Sequence, residues 1–169
     1  KLNNLKQAAK TMNFLTEHGI SSYGELESKL TVVSARRDTA HAEIKRIESR
    51  SAELTLVMKH AGTYRQLKPI YDRYRKSNDK EKFLRGHESE IILFEAAARE
   101  LKRLGAVPLP TTESMKTELT NLAAEKERLL AEYKAARTEA QEYETVKQNV
   151  DALLTVPKEQ EQQRRYELE

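Results

Sequence analysis

The 169-residue chain has the length of about one domain, and its 34% charged and 6% aromatic residues suit long amphipathic helices rather than a broad compact core. Five Gly and four Pro are too few for a turn-rich β-sandwich or barrel, and the lack of Cys excludes disulfides and thiolate zinc sites. The longest apolar run, Ile91 to Phe94, is far short of a membrane span.

These features predict a soluble, intracellular, all-α protein. The opening Lys1-Leu2-Asn3, with neither a start Met nor a signal peptide, reads as part of something larger. The net charge of +3 is unevenly placed: residues 64–85 carry eight basic and three acidic groups, or +5. Such a block faces an anionic partner or forms a solvated helix surface.

In chain order, Leu2, Leu5, Ala9, Met12 and Leu15 recur at helical spacing and predict an N-terminal helix over 1–19, stopped at His18-Gly19. Ser22 followed by Glu25 is a capping box that opens a second helix over 22–66. Its apolar seam alternates steps of four and three: Leu26, Leu30, Val33, Arg37, Ala40, Ile44, Ile47, Ser51, Leu54, Met58 and Ala61. Pro69 predicts a break near 65–69, followed by a short helix to Lys76. A connector at Ser77-Asn78-Asp79 follows, with Asp79 capping a helix from Lys80 to Leu104 that breaks near Gly86 and stops at Gly105. Residues 67–110 form a helical cap in this reading. Its last part, Ala106-Val107-Pro108-Leu109-Pro110, is a rigid linker.

Thr111 or Thr112 caps the last long helix, 111–155. Its seam, Met115, Leu119, Leu122, Lys126, Leu129, Tyr133, Ala136, Ala140, Tyr143, Lys147, Val150 and Leu154, steps in the same way. Pro157 is expected to end it, leaving 156–169 as a frayed or disordered tail. Two helices of roughly 60 Å must each bury a stripe. The expected fold is therefore a long antiparallel helical hairpin, an intrachain coiled coil, with a cap and an additional N-terminal helix, all in one domain over 1–155. Aligning the ends opposes Leu26 with Val150, Val33 with Tyr143, Ala40 with Ala136, Leu54 with Leu122, and Ala61 with Met115.

Little marks a catalytic centre. His18, His41, His60 and His87 are scattered. Asp38 and His41 have the spacing of half a di-metal bundle site, but the other half is missing, and both read as helix surface. No Walker loop or dinucleotide fingerprint occurs. The expectation is no catalytic residue, no metal, no cofactor and no small-molecule substrate.

The basic block interleaves cations with aromatic rings. Arg65, Lys68, Tyr71, Arg73, Tyr74, Arg75, Lys76, Lys80, Lys82 and Arg85 are the candidate nucleic-acid contacts. Lys and Arg neutralise phosphates, and Tyr rings stack on unpaired bases. The competing reading makes Tyr64, Tyr71 and Tyr74 core aromatics of the cap, with the cations serving solubility.

Three blocks carry a family resemblance: Asn4-Leu5-Lys6-Gln7-Ala8-Ala9-Lys10-Thr11-Met12-Asn13-Phe14-Leu15-Thr16-Glu17, then Arg65-Gln66-Leu67-Lys68-Pro69-Ile70-Tyr71-Asp72, then Val146-Lys147-Gln148-Asn149-Val150-Asp151. Their order and spacing resembles the helical region after the nuclease domain of relaxases, the mobilisation nucleases of conjugative and mobilisable elements in Firmicutes. The resemblance spans about Leu2 to Leu154. It implies a bacterial, cytoplasmic, non-catalytic accessory region of a DNA-nicking transesterase, contacting DNA backbone or docking other transfer-complex proteins. The family's catalytic Tyr and metal-binding His cluster have no counterpart here. The other reading is a structural coiled-coil spacer or dimerisation module that binds no nucleic acid.

Overall fold

The computed structural model describes the backbone of residues 2–166 and the side chains of 5–155. It is all-α. Among the described residues four helices follow in order: α1 Leu2–Glu17, α2 Tyr23–Lys76, α3 Lys80–Arg103 and α4 Thr112–Tyr166. The chain divides into two compact units, one of Lys1–Glu43 with Arg128–Glu169, the other of Ile44–Glu127.

In the first unit α1 packs with the start of α2 and the later part of α4. Ile20, Leu26, Val33, Ala140, Tyr143 and Val146 form its core, flanked by Phe14, Leu15, Leu30 and Val150. The α2 and α4 segments run antiparallel: Tyr23 donates its hydroxyl to Asp151 at 2.6 Å, Arg36 pairs with Glu139, and His41 stacks on Tyr133 at 5.6 Å. These partners lie within about one turn of the register expected from the seam.

In the second unit the rest of α2, α3 and the start of α4 enclose Leu54, Val57, Ala61, Leu101, Ala106 and Met115. Met58, Leu119 and Leu122 pack against them. Glu48 meets Lys126 at 2.7 Å, Arg50 meets Glu118 at 2.7 Å, and Arg65 meets Thr112 at 2.7 Å, so the pairing is again antiparallel.

Helix ends follow local chemistry. At the end of α1, Gly19 adopts φ 61°; its N–H bonds the Thr16 carbonyl at 3.1 Å, and the Ile20 N–H bonds that of Leu15 at 2.8 Å. At the end of α3, Gly105 adopts φ 69°, with Gly105 N–H to Lys102 at 3.1 Å and Ala106 N–H to Leu101 at 2.9 Å. Both are Schellman motifs, and in each the residue after the glycine joins the core with its hydrogen-bond partner. Asp79 accepts from the Lys82 N–H at 3.0 Å, and Thr111 Oγ1 from the Ser114 N–H at 3.1 Å. The capping box departs from the simple form. Ser22 Oγ accepts from the Glu25 N–H at 3.2 Å, but the Glu25 carboxylate reaches back to Ser21 N–H and Oγ at 2.7 and 2.9 Å.

The three cationic seam positions each find a carboxylate. Arg37 takes Asp38 at 2.8 Å and Glu144 at 3.8 Å, Lys126 takes Glu48, and Lys147 takes Asp151 at 3.2 Å and Glu27 at 3.8 Å. The stems lie along the seam while the charged heads reach its rim.

Several expectations are corrected. α2 does not break at 65–69 but continues through Pro69 to Lys76, so 67–76 belong to it rather than to a separate cap helix. Pro69 and Arg65 are both exposed, so the carbonyl that lacks a donor lies on the solvent side, where water can reach it. The expected α3 break is present at His87, with φ −139° and ψ 23°. α4 continues past Pro157 to Tyr166; the side chains of the expected tail, 156–169, lie outside the described residues. Leu154, placed on the seam, is 57% exposed. On α1 the expected stripe is rotated: Leu5 and Met12 are 71% and 59% exposed, while Thr11, Phe14 and Leu15 face inward. Val57 and Val146 lie off the seams yet are buried, because a third helix covers each of them.

Candidate nucleic-acid interface

The basic block of the second unit spans the last turns of α2, the turn at 77–79 and the first turns of α3. Its aromatic rings turn inward on one another. Phe94, buried, stacks on Tyr64 at 4.7 Å and on Tyr71 at 4.2 Å, with interplanar angles of 26° and 22°. Tyr74 lies between Tyr71 at 6.0 Å and Phe83 at 6.2 Å, and Phe83 contacts the His87 ring at 4.6 Å. These rings hold α2 against α3 and answer the sequence-level alternative in favour of a cap core for Tyr64 and Tyr71.

Two of the candidate cations are also committed within the chain. The Arg65 guanidinium donates to Thr112 Oγ1 at 2.7 Å and to the Pro110 carbonyl at 2.5 Å, tying α2 to the linker before α4. Lys68 donates to Asp72 at 2.8 Å, and that hydrogen bond raises its pKa above the ordinary lysine value.

The remaining six, Arg73, Arg75, Lys76, Lys80, Lys82 and Arg85, are exposed. Among the described residues none of their side chains has an ion pair or hydrogen bond. Against them stand only Asp79 and Glu81, leaving +4 over residues 73–85. Asp79 is turned onto the α3 amides as the helix cap. Arg73, Arg75 and Lys76 sit in the last turn of α2, where cations suit the helix dipole. Lys80 and Lys82 do not fit that explanation. They occupy the first turn of α3, whose free N–H groups already make a positive end.

Sequence reasoning missed a second feature, in the first unit. The first and third resemblance blocks meet there, across α1 and α4, in a groove of about 520 Å³ lined by Gln7, Thr11, Phe14, Gln141, Val146 and Asn149, among others. Asn149 bridges it, donating to Thr11 Oγ1 at 3.1 Å and accepting from Gln7 Nε2 at 2.5 Å. Elsewhere in the first unit, hydrogen bonds to Tyr23 and Asp151 hold the Lys147 ammonium well above its ordinary pKa, and the Tyr23 hydroxyl depresses the Asp151 carboxyl. A raised ammonium pKa keeps Lys147 charged, which suits a structural ion pair and opposes a role as base. The off-seam Val146 beside Asn149 was the available signal. Asp38 and His41 are engaged by Arg37 and Tyr133 respectively.

Among the described residues no helix is long and apolar enough to cross a membrane. Searches of family models, curated proteins and solved structures find no match to this chain.

Proposed function

We propose that this chain is a non-catalytic helical accessory region of a bacterial, cytoplasmic DNA relaxase, and that the turn joining α2 and α3 contacts the DNA backbone during conjugative transfer or mobilisation. The relaxase part of this reading rests on the three sequence blocks. The DNA part rests on one observation: six exposed cations without partners among the described residues surround a single turn, two of them at a helix end where they oppose the local dipole. Arg65, Lys68, Tyr71 and Tyr74 drop out as primary contacts because each is already engaged within the unit, Arg65 by the linker before α4, Lys68 by Asp72 and the tyrosines by neighbouring rings.

The test compares the wild-type chain with an Arg73→Ala/Arg75→Ala/Lys76→Ala variant against labelled oligonucleotides. Wild type should bind with a steep loss of affinity as salt rises, and the variant should bind more weakly with a shallower slope. Equal, salt-insensitive binding by both would leave the spacer or dimerisation reading. Joined to a relaxase nuclease domain, the same triple substitution should lower origin nicking at physiological salt more than at low salt.

A further inference from the structure

Resting on the proposed DNA-contact reading, we infer that the α2–α3 turn grips duplex DNA through its phosphates alone, without sequence preference and without affinity for unpaired bases. Binding to single strands needs aromatic faces free to stack on splayed bases, each contributing severalfold or more to affinity. The rings of this segment are already used. Tyr64 and Tyr71 stack on Phe94, Tyr74 is flanked by Tyr71 and Phe83, and Phe83 is flanked by Tyr74 and His87. The exposed surface they leave behind is cationic: Arg73, Arg75 and Lys76 on one side of the turn, Lys80, Lys82 and Arg85 on the other.

A surface of cations without free rings reads charge density, and a duplex presents roughly one phosphate charge per 1.7 Å of axis, about twice that of one strand. It carries no group set to read base edges in a fixed frame. The flexible Lys and Arg side chains lack the bonded neighbours that would orient them for bidentate base contacts.

The experiment uses the full 169-residue chain and fluorescence anisotropy with three probes of equal length: a mixed-sequence duplex, a second duplex of permuted sequence, and oligo-dT. Across about 50 to 200 mM salt, the duplex slope of log affinity against log salt should approach about −5.4, from about 0.9 for each of six neutralised phosphates. The two duplexes should agree within about twofold, and oligo-dT should bind at least about tenfold more weakly at the higher salt. Arg73→Ala/Arg75→Ala/Lys76→Ala should flatten the duplex slope by about 2.7. Tyr74→Leu, with helicity checked by circular dichroism, should leave binding to both probe types unchanged. Oligo-dT binding as tight as the duplex, or lost in Tyr74→Leu, would overturn the duplex inference while leaving DNA contact standing. Tenfold discrimination between the two duplexes would likewise overturn it. Absence of salt-dependent binding to every probe would overturn the DNA-contact reading itself.

Discussion

Thr11 and Asn149, 138 positions apart in the chain, are joined by a 3.1 Å hydrogen bond in which the Asn149 amide donates to the threonine hydroxyl. Thr11 is 2% exposed, a buried polar group in the contact between α1 and α4. Thr11→Val keeps the shape and removes the acceptor, leaving a half-buried amide without that partner. The expected loss is about 1–2 kcal/mol of stability. A double-mutant cycle with Asn149→Leu checks it by chemical denaturation. The two substitutions should be non-additive, because each removes the same bond. Strict additivity would show that the bond contributes nothing.

The two Schellman glycines and a mid-helix glycine predict opposite signs for one substitution. Gly105→Ala meets no atom within 4 Å, so its cost is the left-handed backbone alone, about 1–2 kcal/mol. Gly62→Ala is equally free of clashes but lies inside α2, where alanine should stabilise by about 0.5–1 kcal/mol. Thermal unfolding of the two variants should move in opposite directions.

Pro69 makes a further prediction because α2 passes through it unbroken. Alanine there restores a backbone donor to a helix that already exists. Pro69→Ala should stabilise the chain by about 1–3 kcal/mol without a change in helix content. A loss of stability would mean that the proline terminates a packed element after all.

Acid sensitivity should include the start of α2 and the α2–α4 contact of the first unit. The Ser21 N–H and hydroxyl hold Glu25 below its ordinary value of 4.5, and the Tyr23 hydroxyl holds Asp151 below 3.8. A carboxyl depressed in the folded state contributes stability that is fully present above its unfolded value and is lost as pH falls through the folded one. Unfolding midpoints should therefore be flat from pH 7 to about 5 and decline below about 4.5. Glu25→Gln should lower the neutral-pH midpoint and shrink the decline. An unchanged acid profile in that variant would assign the decline to other carboxyls.

Much of this architecture was legible in the residues because its determinants are short-range. Gly19, Gly105, Asp79, Thr111 and the Ser22–Glu25 pair end or begin helices through bonds spanning three to five residues, and each does so where the sequence placed it. The alternating seams of α2 and α4 likewise supply core residues Leu26, Val33, Leu54, Ala61, Met115 and Tyr143. The six-cation turn was visible as a run of charge. What the tertiary structure alone decided involves a third helix. α1 buries Thr11 and half-buries Phe14 beside the expected Leu15, leaving Leu5 and Met12 exposed, since the face it presents depends on the groove it enters and not on its apolar stripe alone. Val57 and Val146 are buried because other helices pack beside the paired seam, and Tyr71 stacks on Phe94 because α3 returns along α2. Pro69 is tolerated since its face points to solvent. A hydrophobic period names the residues able to be buried; only the neighbouring helix selects which of them are.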